Sequence, residues 1–219
     1  MGRTREALLE QGALLFARHG VGGVTARELH DAVGARNESA LHYHFGGKDG
    51  LVLAILRGHL DAIEARRARL VSAIEADDRR GDVRRLVHAL AAPMADDLPT
   101  PLGRAHLRLV DQVNHPSLAY DAPFRVTEAP AGAAVVRWLW QAIGDVPGPI
   151  RLERLRTLRE QLISLFARRA QLIDDAPGDA GLPPGLFLPN LIDTLVAGLR
   201  AAPSREALAA ATVAVGPDA

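Results

Sequence analysis

The run Ser39-Ala40-Leu41-His42-Tyr43-His44-Phe45-Gly46-Gly47-Lys48 gathers hydroxyl, imidazole, phenol and ammonium groups into one short stretch. Each of these can donate a hydrogen bond to a phosphate oxygen, and none of them needs a bond-making partner to do so. The chemistry on offer is therefore the binding of a polyanion. A metal tract is the competing reading of His42 and His44. Two residues apart on a helix, however, the rings diverge and cannot share an ion. His59, His88, His106 and His115 stand singly, cysteine is absent, and no H-E-x-x-H spacing occurs, so no metal is expected. Gly20-Val21-Gly22-Gly23 suggests a nucleotide loop, but Thr25 stands where G-x-G-x-x-G requires glycine and no strand precedes it. Neither G-x-S-x-G nor a P-loop is present. No catalytic residue and no cofactor are expected, and the chain is not read as an enzyme.

Positioning those donors is a task for helices. Apolar residues recur at helical spacing along almost the whole chain and nowhere alternate cleanly, so the fold is expected to be all-α, with nine or ten helices. The first is expected over Thr4–His19, ended by Gly20, Gly22 and Gly23. The second opens on Thr25-Ala26-Arg27-Glu28, the pattern of a capping box, and ends near Val33-Gly34. A third, with Asn37 as N-cap, runs to Phe45, and a long fourth begins at Lys48 or Asp49 and reaches about Ala76. Further helices are expected near 82–97, 102–114, 123–142, 151–174, 186–201 and 205–215, with prolines marking their boundaries. The organisation is then an N-terminal unit over 1–47, a larger helical body over 48–215, and a frayed tail over 216–219.

A short helix, a glycine turn and a second short helix make a helix-turn-helix, whose second helix enters the DNA major groove. Leu29, Val33, Leu41 and Phe45 have the spacing to pack against Leu15 and Phe16. That leaves Glu38, Ser39, His42, Tyr43 and His44 facing outward. Bulk charge does not advertise this partner: 26 basic residues balance 26 acidic ones. Even residues 1–48 set Arg3, Arg5, Arg18, Arg27, Arg36 and Lys48 against Glu6, Glu10, Glu28, Asp31 and Glu38. Lys48 is the only lysine in the chain, and codon bias toward arginine does not explain its position.

Three segments together resemble the signature of TetR-type transcriptional regulators: Leu15-Phe16-Ala17-Arg18-His19-Gly20, Thr25-Ala26-Arg27-Glu28-Leu29 and Leu41-His42-Tyr43-His44-Phe45-Gly46-Gly47-Lys48-Asp49-Gly50-Leu51. The resemblance covers about residues 5–55. It implies a homodimer that binds a pseudo-palindromic double-stranded operator, acts as a repressor and is released by a small, largely apolar effector. It further implies phosphate contacts from Thr25 and Lys48, with Arg36 and Asn37 at the turn and Ser39, His42, Tyr43 and His44 on the reading helix. A helix N-terminus, with unpaired N–H groups and a positive dipole end, suits the phosphate role given to Lys48. The turn after Gly34 is one residue longer than the commonest family form, and Glu38 stands where many members carry a cation.

Within the body, Leu102, His106, Val110, Val113, Phe124 and Trp138 are the expected lining of an effector pocket, an apolar wall with few polar anchors. Gln112, Asn114 and Tyr120 are its other polar candidates. Two leucine-rich stripes are expected to pair across a homodimer as a four-helix bundle: Leu155, Leu158, Leu162 and Phe166 on one helix, Leu188, Leu191, Leu195 and Leu199 on another. Arg66, Arg67 and Arg69, interleaved with acids, read as a solvated, salt-bridged face. No stretch is apolar for the length of a membrane span, and the charged N-terminus is unlike a signal peptide, so a cytoplasmic protein without membrane contact is expected. The alternatives are an all-α enzyme or binding protein for an apolar small molecule, a helical interaction scaffold, and an activator of the same family.

Overall fold

The computed structural model describes residues 2–34, 39–114, 129–179 and 181–214. Among them are ten α-helices and no strand. They are α1 (Gly2–His19), α2 (Ala26–Ala32), α3 (Ser39–Phe45), α4 (Lys48–Ala76), α5 (Val83–Ala95), α6 (Pro101–Asn114), α7 (Pro130–Ala142), α8 (Gly148–Asp175), α9 (Pro184–Arg200) and α10 (Arg205–Ala214). Between α8 and α9 lies one 3₁₀ turn, Pro177–Asp179. Several termini are set by side chains, the first of them as expected. Thr25 caps α2 with Glu28 as a complete capping box, and Asp82 caps α5 by accepting from the Arg85 amide. Arg151 closes the other end of α7 by donating to the carbonyls of Trp140, Gly144 and Val146. Arg154 does the same beyond α9, at Leu199 and Ala201.

Two cores form. The head core joins Leu8, Phe16, Leu29 and Leu41 of α1–α3 to Leu51, Val52, Ile55 and Leu56 of α4, and to Ala105, Leu109 and Val113 of α6. The body core joins Ile63 and Ile74 of α4 to α5, α7, α8 and α9, with Leu107 of α6. The boundary expected at residue 47 therefore runs through the head core, since α4 and α6 each supply residues to both. The α6 helix is tied on both sides. Gln112 donates to the Ala17 carbonyl of α1 at 3.3 Å, while Arg104 and Arg108 pair with Asp174 of α8.

The leucine stripes correct an expectation. Leu158, Leu162, Phe166, Leu191, Leu195 and Leu199 are buried in the body core of a single chain, and Leu155 and Leu188 pack against it. Six of the eight are buried and the other two pack on the same core, because α6 lies against α8 and α5 against α9, supplying the surface that a partner was expected to supply. What α8 and α9 leave exposed is instead Leu152, Leu165 and Leu186.

Arg67 and Glu64 depart from the expected solvated face as well. Both are buried and paired with each other. Pro93 lies inside α5 and has no N–H for the carbonyl of Ala89, one turn before it. The Arg67 guanidinium donates to that carbonyl at 3.2 Å. Glu64 accepts from the Ala131 and Gly132 amides at 2.9 and 3.1 Å, at the electropositive start of α7. The pair thus satisfies a proline-orphaned acceptor and two helix-end donors at once, locking α4, α5 and α7 together.

Candidate nucleic-acid interface

The head core holds α3 in place. Leu29 and Leu41 are buried, and Val33, Phe45 and Leu15 pack against the same core, which fixes the inward faces of α2 and α3. Glycines set the geometry after α3. Gly46 and Gly47 have φ of 71° and 125°, a region that side chains rarely tolerate. A Cβ on Gly50 would lie 1.7 Å from the Phe45 carbonyl oxygen, so only glycine lets α4 start this close to the end of α3. The Gly46-Gly47 corner and Gly50 together set the angle at which α3 leaves the head.

Tyr43 is the most exposed large apolar side chain among the described residues, 72% exposed, and His42 is exposed beside it. His44 is half-buried, and its ring meets Tyr43 edge-on at 5.1 Å and Phe45 at 6.2 Å. Ser39 opens α3, but its side chain lies outside the described residues, as do Arg36, Asn37 and Glu38.

Thr25 and Lys48 are both already engaged. The Thr25 hydroxyl donates to Glu28 at 2.8 Å and accepts from the Glu28 amide at 3.2 Å. Those bonds to Thr25 hold the Glu28 carboxyl below the usual carboxylate range. The hydroxyl proton of Thr25 is therefore committed to the cap. The Lys48 ammonium donates to the Val21 and Val24 carbonyls at 3.0 and 3.1 Å, bracing the α1–α2 turn. One of its three N–H groups is left for a phosphate. Sequence spacing carries no sign of this brace, because residues 21 and 24 meet Lys48 only through the packing of α1 on α4.

Arg5, which sequence reasoning did not single out, joins this surface. It is exposed, and its guanidinium lies over the Phe45 ring, 5.4 Å from the centroid. No motif links residue 5 to residue 45.

The expected effector residues do not converge. Leu102, Val110 and Val113 pack into the head core, whereas Trp138 lies in the body core. Phe124, His115 and Tyr120 lie outside the described residues. The division follows from α6 burying one face against α1 and another against α8. His106 alone keeps a polar setting between the two cores. Its ring lies 4.8 Å from that of His59, which faces Asp97 at 3.6 Å, and Asp97 pairs with Arg66 at 2.8 Å. Burial, with the nearby His106 and Arg66 charges adding to it, lowers the His59 pKa to about 3. Burial lowers that of His106 too, against the pull of Asp97. Among the described residues no group of His, Asp and Glu could hold a metal ion, and no helix is long and apolar enough to cross a membrane.

Residues 8–55 match the family described as bacterial regulatory proteins, tetR family. The chain is 42% identical to the HTH-type transcriptional repressor AcnR of Corynebacterium glutamicum over 54 residues, 25% of this chain and 28% of that protein. It is 45% identical to the HTH-type transcriptional repressor KstR2 of Rhodococcus jostii over 60 residues, 27% of this chain and 28% of that protein. The matched stretch thus spans under a third of these curated relatives, which are named as regulators rather than enzymes. The crystal structure described as Probable transcriptional regulatory protein RHA5900 shares the fold, with TM-score 0.57 and 21% identity, covering 91% of this chain and 100% of that one.

Proposed function

We propose, from the tetR-family membership of its N-terminal unit, that this chain is a ligand-responsive transcriptional repressor of the cytoplasm. It binds a pseudo-palindromic operator as a homodimer and is released by a small, largely apolar effector. The observation that carries the reading is the presentation of α3. A helix-turn-helix braced by α1 and α4 holds Tyr43 and His42 out in solvent on one face, within reach of a bound duplex. These side chains, with Ser39 and Arg36 for base edges, would lie in the major groove.

The switch runs through α4 and α6, since each contributes to both cores. An effector seated beside His106 would find a polar anchor in the His59–Asp97–Arg66 cluster where these helices cross. Moving α6 against α8 would move the head attached to it. Half-sites on DNA are about 34–36 Å apart per helical turn, so a shift of a few Å in the separation of the two α3 helices forfeits contacts. The effector needs only a preference of about 1–3 kcal/mol for the splayed state. The homodimer would form on the exposed outer faces of α8 and α9, around Leu152, Leu165 and Leu186.

Selection of bound duplexes from a random pool, at a stated salt concentration, tests the reading directly. An enriched inverted repeat with half-sites about one helical turn apart is expected. Failure to enrich any sequence, or enrichment of an asymmetric single site, would overturn it.

A further inference from the structure

A helix that enters the major groove needs cations nearby, because phosphate neutralisation supplies most of the affinity. The described part of α3 holds no Lys or Arg, and Lys48 gives two of its three donors to backbone carbonyls. Where, then, does the positive charge beside α3 come from? We propose that Arg5 is a phosphate-binding residue, held in register with α3 by the ring of Phe45. This inference rests on the reading of the chain as a DNA-binding regulator.

Three observations support it. First, the guanidinium lies over the Phe45 ring, and Phe45 is itself anchored against the head core. A ring under the flat face of arginine restricts its position and leaves the edge, with its fork of N–H donors, free for two oxygens of one phosphate. Second, that ring begins a continuous aromatic series. Phe45 meets His44, and His44 meets Tyr43, which is 72% exposed. The cation is thus linked through edge-on ring contacts to the residues that face the groove. Third, Arg5 is exposed, and no carboxylate pairs with it among the described residues, although Glu6 and Glu10 share its helix. Most other arginines placed by the fold are tied to acids or carbonyls, as Arg67, Arg104 and Arg151 are. The phosphate it takes would flank the C-terminal end of α3.

The test is the salt dependence of binding to a mixed-sequence duplex and to the duplex enriched from a random pool. Affinity is measured between about 50 and 200 mM salt for the full chain and for Arg5→Ala, Arg5→Lys and Arg3→Ala. Arg5→Ala should flatten the slope of log affinity against log salt by about one and weaken both duplexes by a similar factor. Arg5→Lys should keep the slope and lose part of the affinity, because a lysine has the charge without the flat face. Arg3→Ala, which has no ring beneath it, should leave the slope unchanged. Helicity by circular dichroism should be the same in all four proteins, since both arginines are exposed. Equal slopes for Arg5→Ala and the unaltered chain would overturn the role of Arg5 while leaving DNA binding intact. An unaltered chain that binds neither duplex in a salt-dependent way would instead overturn the regulator reading itself.

Discussion

Lys48→Met keeps the aliphatic stem and deletes the ammonium, which separates two roles that the family pattern merges. The ammonium makes two half-buried hydrogen bonds to the Val21 and Val24 carbonyls. Bonds to a charged group are worth about 1.5–3 kcal/mol each, but water can reach carbonyls freed at this depth, so the net loss should be about 2 kcal/mol. For a chain of this size that lowers the melting temperature by about 4–8 °C. The loss should fall on the α1–α2 turn, so amide exchange there should speed up before it does in α5 or α8. Binding to DNA should weaken alike for all sequences, through a looser head, with the salt slope reduced by less than one. The assays are a melt followed by circular dichroism, exchange monitored by mass spectrometry, and the salt titration. A variant that melts with the unaltered chain yet loses a full unit of salt slope would refute the bracing role and return Lys48 to a plain phosphate contact.

Other perturbations probe the body. Glu64→Gln leaves Arg67 as a buried cation without its counter-charge and should cost about 3–5 kcal/mol in urea denaturation; a loss under about 1 kcal/mol would contradict the buried pairing. His59 is kept neutral by the fold, with its pKa lowered to about 3 from an ordinary 6.5. Between those values the unfolded chain binds the proton that the folded chain refuses, so stability should fall as pH drops from about 6.5 toward 3. His59→Asn should flatten that dependence in denaturant melts, and an unaltered chain already flat over this range would count against the burial argument. On α8, Leu165→Glu should turn a dimer into a monomer in analytical ultracentrifugation with little change in melting. Leu158→Ala, in the core, should instead cost about 2–5 kcal/mol, and the reverse pattern would mean that the inward stripe is the interface after all.

Helix positions, the capping box at Thr25 and Glu28, the inward set Leu29, Val33, Leu41 and Phe45, and the outward Tyr43 were legible in the chain itself. Each depends on residues within a turn or two of one another, where periodicity and capping chemistry act directly. The glycines after α3 belong to the same class, since a positive φ at Gly46 and Gly47 is a local demand. Contacts between distant segments were not legible. An apolar stripe on α8 looks the same whether α6 and α9 of its own chain or a second chain will cover it, and the three-dimensional packing turned that stripe inward. Arg67 looked like a surface cation until Pro93 in α5 left a carbonyl for it and Glu64 met the start of α7. The sequence by itself determined an all-α chain with a helix-turn-helix near its N-terminus, because those features are local. Tertiary structure alone decided that Lys48 braces a turn, that α6 belongs to both cores, and that Arg5 stands over Phe45. Such pairings depend on which helix faces which, and side-chain spacing along one chain does not encode that.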